Sequence, residues 1–308
     1  MISLRYHALS IAAVFLALAV GVVLGAGGVS DRLLSATAQK ADGLDGQVQT
    51  LTAERDGLAA AQRGADEFAA RIGPVAVRGL LNGKKVAFVT VGADPADRDA
   101  LGKLIGAAGA TASGELALTP AAGDPARADQ LRELTSQLLP TGAQLPAAAD
   151  TGSLLGGLLG GVLLGTDVDA QAADSVLTGL TSAGFVVPGD RPKPADLVLV
   201  LTGGALSGVD AGEAAAVTAR MAAELDRAGG AGAVLAGRTG SAEATGAVGV
   251  ARADPAITAD LSTVDDVQTG SGRVSAVLAL REQVDGRSGR YGTSVTAADG
   301  AAPPPVSA

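Results

Sequence analysis

The sequence predicts an N-terminal transmembrane helix, a coiled-coil helix behind it, and then an α/β body built on a mostly parallel sheet. Three observations lead there: an uncharged apolar run from Ala8 to Val29, a seven-residue apolar period from Leu34 to Ile72, and β-branched strand segments alternating with helix-spaced ones from Lys84 onward. Each has a physical reason.

The run Ala8–Val29 carries no charge and is long enough to cross a hydrocarbon core of about 30 Å as a helix. A secretory signal has a shorter apolar region, roughly 7 to 15 residues, so the segment reads as a retained anchor. Gly25, Ala26, Gly27 and Gly28 are small enough for a signal peptidase, and cleavage there is the competing reading. Arg5 stands before the run, Arg32 and Lys40 after it. A long following domain is translocated largely regardless of its charge. The expected topology is therefore a cytoplasmic stub over 1–7, an anchor over 8–29 and an exported body, single-pass in the cell membrane or envelope.

From Ser30 to Ile72 the apolar period is seven. Leu34, Thr37, Ala41, Leu44, Val48, Leu51, Arg55, Leu58, Gln62, Ala65, Ala69 and Ile72 fall on alternating a and d positions. Leu44, Val48, Leu51 and Leu58 are the expected seam of a homodimer, and a fully helical 30–72 stalk reaches about 65 Å. Gly43, Gly46, Gly57 and Gly64 each weaken the helix by about 1 kcal/mol, and Arg55 and Gln62 suit a positions poorly. The alternative is a single amphipathic helix folded onto the body. Gly73-Pro74 is expected to end the helix.

The body is expected over 84–292. Lys84–Val91 is a near-continuous apolar run after an Asn82-Gly83 turn, as a strand covered on both faces requires. Helix spacing at Leu101, Leu104 and Ile105, then a second strand in "ATASGELAL", completes a βαβ unit. The pattern returns with "ADLVLVLT", the helix "DAGEAAAVTARMAAELDRAGG" and the strand "AGAVLAGRT". Further helices are expected at "PARADQLRELTSQLLP", "DAQAADSVLTGLTSAG" and "GRVSAVLALREQV". The uncharged stretch Gly152–Gly165 is too short to span a bilayer and reads as a buried Gly-rich helix or hairpin, with a re-entrant or partner-facing surface as the alternative. Residues 293–308, rich in Pro and small polar types, are expected to be disordered.

Composition excludes whole classes of chemistry. There are no cysteines and one histidine, His7, at the membrane border, so the exported part has no Ser-His-Asp triad, Cys-His pair or His/Cys zinc site. A net charge of −9 without a basic cluster argues against a nucleic-acid partner. Aromatics are 2%, leaving Val and Leu to supply most of the packing. No enzymatic constellation emerges, and no cofactor is evident.

In open α/β sheets ligands bind at the carboxyl ends of strands. The loops to watch are "GADPADR", "GGALSG" and "GRTGSA", and Asp94, Asp97, Gly203, Gly204, Arg238 and Thr239 are the residues expected to line any crevice there. The competing roles are a helix N-cap for Asp94 and a plain strand-to-helix turn for Gly203-Gly204. "DVDAQAAD" fails the EF-hand pattern at Gln171, Ala172 and Thr178 and reads as a solvated helix start. Asp265-Asp266 has no identifiable partner for acid–base work.

The opening "MISLRYHALSIAAVFLALAVGVVLGAG", the heptad stretch behind it, and "STVDDVQTGSGRVSAVLALREQVDGRSGRYG" resemble the actinobacterial family of copper transport protein B, MctB, from the anchor to about Gly292. The resemblance implies an envelope protein of copper homeostasis, described as an outer-membrane copper channel. It also implies a role in cell separation, with a membrane partner that controls cell-wall hydrolysis. Copper enters by resemblance alone. Cu(I) prefers thiolate and thioether and Cu(II) favours imidazole, whereas this chain offers no Cys, one His, Met1 and Met221. The ten-residue alternating segments of an outer-membrane barrel are also missing. The residues favour an anchored, non-catalytic scaffold that engages itself or an envelope partner.

Overall fold

The computed structural model describes residues 4–26, 29–140, 150–165 and 169–304. Gly27 and Gly28 of the expected anchor, Asp167 of the rejected calcium loop and the last four residues of the expected tail lie outside them. The chain divides into two units, Met1–Arg63 and Gly64–Ala308.

In the first unit α1 (Leu4–Ala26) is predominantly apolar after Arg5 and His7, and Arg5–Val23 is long and apolar enough to cross a membrane. The next helix, α2 (Val29–Ala76), supplies residues to both units. Its expected end at Gly73-Pro74 is corrected: the helix runs through Pro74 to Ala76. Proline removes one N–H close to the end, and Val77 N still donates to Gly73 O at 3.0 Å. Gly73 is held by tertiary packing, since a Cβ there would lie 2.9 Å from Val274 Cγ2.

The second unit is built on a six-stranded sheet of β1 (Lys85–Val91), β2 (Thr111–Leu118), β3 (Leu197–Thr202), β4 (Ala233–Gly237), β5 (Ser262–Val264) and β6 (Arg290–Tyr291). Every named pair is parallel and the order is β2-β1-β3-β4-β5-β6. β5 and β6 were not expected; at three and two residues they are too short to carry a period. Alternation splits the strands between two cores. Val86, Phe88, Leu197 and Leu199 pack under α3 (Pro95–Ala107), α10 (Gly270–Val284) and the residues Val77 and Leu81 after α2. Ala87, Val89, Val198 and Val200 pack under the other face's helices: α4 (Ala128–Gln137), α5 (Thr151–Leu163), α6 (Ala170–Ser182), α7 (Ala211–Arg227), α8 (Ala247–Ala253) and α9 (Pro255–Thr258). Burial on both faces explains the unbroken apolar strands. The chain goes from β1 outward to β2, then returns past β1 to β3, so the topological switch point lies between β1 and β3.

The Gly-rich stretch forms the buried helix α5. Gly152 and Gly156 face α7 so closely that a Cβ would stand 2.5 Å from Val217 O and 2.6 Å from Met221 O. The four-residue glycine spacing thus brings two backbones together in a core poor in aromatics.

The expectation of disorder from residue 293 is corrected for residues 293–304. Gly292 N donates to Gly300 O at 3.0 Å, Thr293 N to Asp265 Oδ1 at 2.8 Å and Ser275 Oγ to Ala301 O at 2.8 Å. The segment is held through its backbone, which composition does not report.

Candidate functional site

At the carboxyl edge of the sheet the loop after β1 turns at Gly92 (φ +61) and reaches Asp94, whose Oδ1 caps α3 by accepting from Ala96 N at 2.9 Å. Its other oxygen, Oδ2, takes Arg238 Nη1 at 2.8 Å from the loop after β4. Asp97, in the first turn of α3, is 3% exposed. It lies between two guanidinium groups, with Arg238 Nε 3.1 Å from Oδ2 and Arg273 Nη2 of α10 3.3 Å from Oδ1. Thr239 N donates to Gln268 Oε1 at 3.0 Å, and Gln268 Nε2 donates back to Thr239 Oγ1. Glycine is required at 203 and 204 because a Cβ would stand 2.9 Å from Gly92 O and 2.7 Å from Thr239 O.

All six expected crevice residues are therefore neighbours. Asp94, Asp97, Arg238 and Arg273 balance one another in charge, so the cluster pins the loops after β1 and β4 to the start of α10. Arg273 and Gln268 were not foreseen. They lie far along the chain in α10 and its approach, where no local pattern signals them.

Beside the cluster lies a cavity of about 440 Å³ at the switch point. The ends of β1, β2 and β3 and the first turns of α7 line it.

A second polar centre gives Asp265 a partner that the sequence does not signal, Arg252. Arg252 Nη1 lies 2.6 Å from Asp265 Oδ2, both side chains being 2% exposed. Arg252 also donates to Thr263 Oγ1 at 3.0 Å, Tyr291 O at 2.7 Å and Thr296 Oγ1 at 3.0 Å. Burial lowers the Arg252 pKa and the Asp265 contacts oppose that. Asp266 next to it points elsewhere and has a buried Oδ1 with no hydrogen-bond partner. Burial, and then repulsion from Asp265, raise its pKa to about 6. Asp265 is thus held by Arg252 and Thr293, while Asp266 keeps one carboxylate oxygen unpartnered.

In α2, Leu44, Val48, Leu51 and Leu58 are all exposed, and their spacing puts them on one face of the helix. Phe68, Ile72 and Val75 are exposed too. Among the described residues no three His, Cys, Asp or Glu side chains are grouped to hold a metal ion. Met221, the one thioether of the second unit, is 1% exposed, beneath the glycine face of α5. These donors do not fit a copper centre.

The chain matches the family model described as "Copper transport outer membrane protein, MctB" over residues 1–303. It is 42% identical over 306 residues to "Copper transporter MctB" of Mycobacterium tuberculosis, covering 95% of this chain and 96% of that one, with the same figures for the Mycobacterium bovis protein. The namesake of Mycobacterium leprae is 39% identical over 319 residues, covering 96% of this chain and 99% of the relative. Coverage from the apolar helix through the sheet and its clamped C-terminal segment shows that this chain belongs to the MctB family.

Proposed function

We propose that this protein is a membrane-anchored envelope protein of copper homeostasis or efflux that acts as a non-catalytic oligomeric or partner-binding scaffold. The reading rests on one juxtaposition: relatives that share nearly the whole chain are named copper transporters, while this chain has no thiolate and a single imidazole, His7, with which to select copper. Copper is the cargo of the system and not a ligand of this chain. Selection then falls to an oligomeric assembly, by shape and charge, or to an envelope partner.

In this reading α1 is a single retained anchor and the body is exported, and the family description, which names the outer membrane, supports an envelope location. The exposed face Leu44, Val48, Leu51 and Leu58 supports a homodimer seam, because four large apolar side chains in water at a or d spacing gain about 1.5–3 kcal/mol each on full burial. The test is cellular copper in a deletion strain. Deletion is expected to raise copper content, the wild-type chain to restore it, and a chain carrying Leu51→Asp and Leu58→Asp to fail. Unchanged copper on deletion contradicts the copper role; full rescue by the double variant contradicts the seam.

A further inference from the structure

We propose that the cavity at the β1/β3 switch point binds a small amphipathic amine, an apolar body carrying a cationic nitrogen. The position is where an open α/β sheet offers a crevice, since the chain leaves β1 and β3 in opposite directions. At about 440 Å³ the cavity lies within the roughly 300–1,000 Å³ range of small-molecule sites. Val91, Leu118, Leu206 and Ala214 supply apolar wall. On the lining, Thr202 is 5% exposed, and its hydroxyl has no hydrogen-bond partner among the described residues. That hydroxyl is not sealed from solvent and is free to bond a ligand that enters the cavity.

Charge selects the ligand class. Two carboxylates line the cavity, Asp124 and Asp210, and no Lys, Arg or His does. Asp124 Oδ1 accepts from Ala126 N at 2.9 Å, which leaves Oδ2 for another donor. Asp210 is exposed at the start of α7, and although its carbonyl accepts from Ala214 N at 3.0 Å its carboxylate caps nothing there. The nearby Arg238 is already engaged by Asp94 and Asp97. The start of α7 would otherwise favour an anion, as switch-point sites for phosphates do, but two uncompensated carboxylates reverse that preference. Leu206 and Val209 are exposed in the loop between β3 and α7, where Gly208 has φ +109, and stand where an apolar ligand body would cover them.

This site is independent of the scaffold reading. The test is calorimetric titration of the full-length chain in nanodiscs, with empty nanodiscs subtracted, using phenethylamine, its alcohol analogue 2-phenylethanol and the acid phenylacetate. Phenethylamine is expected to bind saturably at one site, with the alcohol at least about tenfold weaker and the acid without measurable binding. Asp124→Asn with Asp210→Asn keeps helix-start geometry, because Asn caps as well as Asp, and is expected to weaken the amine by about tenfold or more. Thr202→Val is expected to weaken it as well, and Asp190→Asn, in a separate groove beside β2, to leave it unchanged. Equal affinity for amine and alcohol, unchanged affinity in the double Asn variant, or no saturable heat at millimolar amine overturns the proposal.

Discussion

Arg252 and Asp265 meet at 2.6 Å with both side chains 2% exposed, joining α8 to the end of β5 where the C-terminal segment crosses. Desolvation of such a pair roughly offsets its attraction, so the net gain is small, while removal of one partner leaves a buried charge. Asp265→Ala should therefore lower stability by about 3–5 kcal/mol, measured as a shift in urea midpoint at constant slope. Asp265→Leu with Arg252→Met should recover most of the loss. If the single variant unfolds at the wild-type midpoint, the clamp is not structural.

The contact of α5 with α7 makes a sharper steric prediction. A Cβ at residue 156 meets Met221 O at 2.6 Å and Glu224 Cβ at 2.7 Å, both on an adjacent helix that cannot yield cheaply. Gly156→Ala should cost about 1–3 kcal/mol through overpacking. Gly102→Ala in α3, with nothing within 4 Å, should instead stabilise by about 0.5–1 kcal/mol. Equal melting temperatures for the two variants would contradict the close approach.

Asp266 gives a pH dependence of definite sign. Its native pKa is raised to about 6, above the ordinary value of 3.8, so the folded state holds the proton more tightly than the unfolded one. That contribution is fully present below pH 3.8 and is lost as pH rises through about 6. Asp226 is raised to about 6 chiefly by burial and acts in the same direction. Asp266→Asn should then melt higher than wild type at pH 7.5 and lose that advantage by pH 4. A variant with the same offset at both pH values would show that Asp266 is not responsible.

Much of this fold is legible in the chain because parallel strands covered on two faces leave runs such as Val86–Val89 and Leu197–Leu201, which chance rarely supplies. The four-residue glycine spacing of α5 is legible for the same reason: it repeats. Other features leave no periodic trace. Arg252, Asp265 and Thr296 come together from three segments, and each alone resembles a surface residue. The segment 293–304 looks like linker because its attachment runs through backbone groups, to which composition is blind. At the candidate site the strand-end rule located Asp94, Asp97, Arg238 and Thr239, but not Arg273 from α10 or the cavity-lining Asp124 and Asp210, which topology alone brings there.

If Leu44, Val48, Leu51 and Leu58 of α2 form the proposed seam, the oligomer depends on these four side chains. Sedimentation of the full-length chain in detergent should give a dimer, and Leu51→Asp with Leu58→Asp should give a monomer. A wild-type monomer at every concentration rules out the seam, and so does a dimer that survives both substitutions.

In the scaffold reading this member of a copper-transport family does not itself ligate copper. Titration of the metal-free full-length chain with Cu(I) and with Cu(II), each against a competing chelator, tests it most directly. With no Cys, one His at the membrane border and a buried Met221, the expected result is no stoichiometric binding at submicromolar affinity in either oxidation state. One equivalent of copper held against the chelator at that affinity would contradict the scaffold account and make the chain a direct copper carrier.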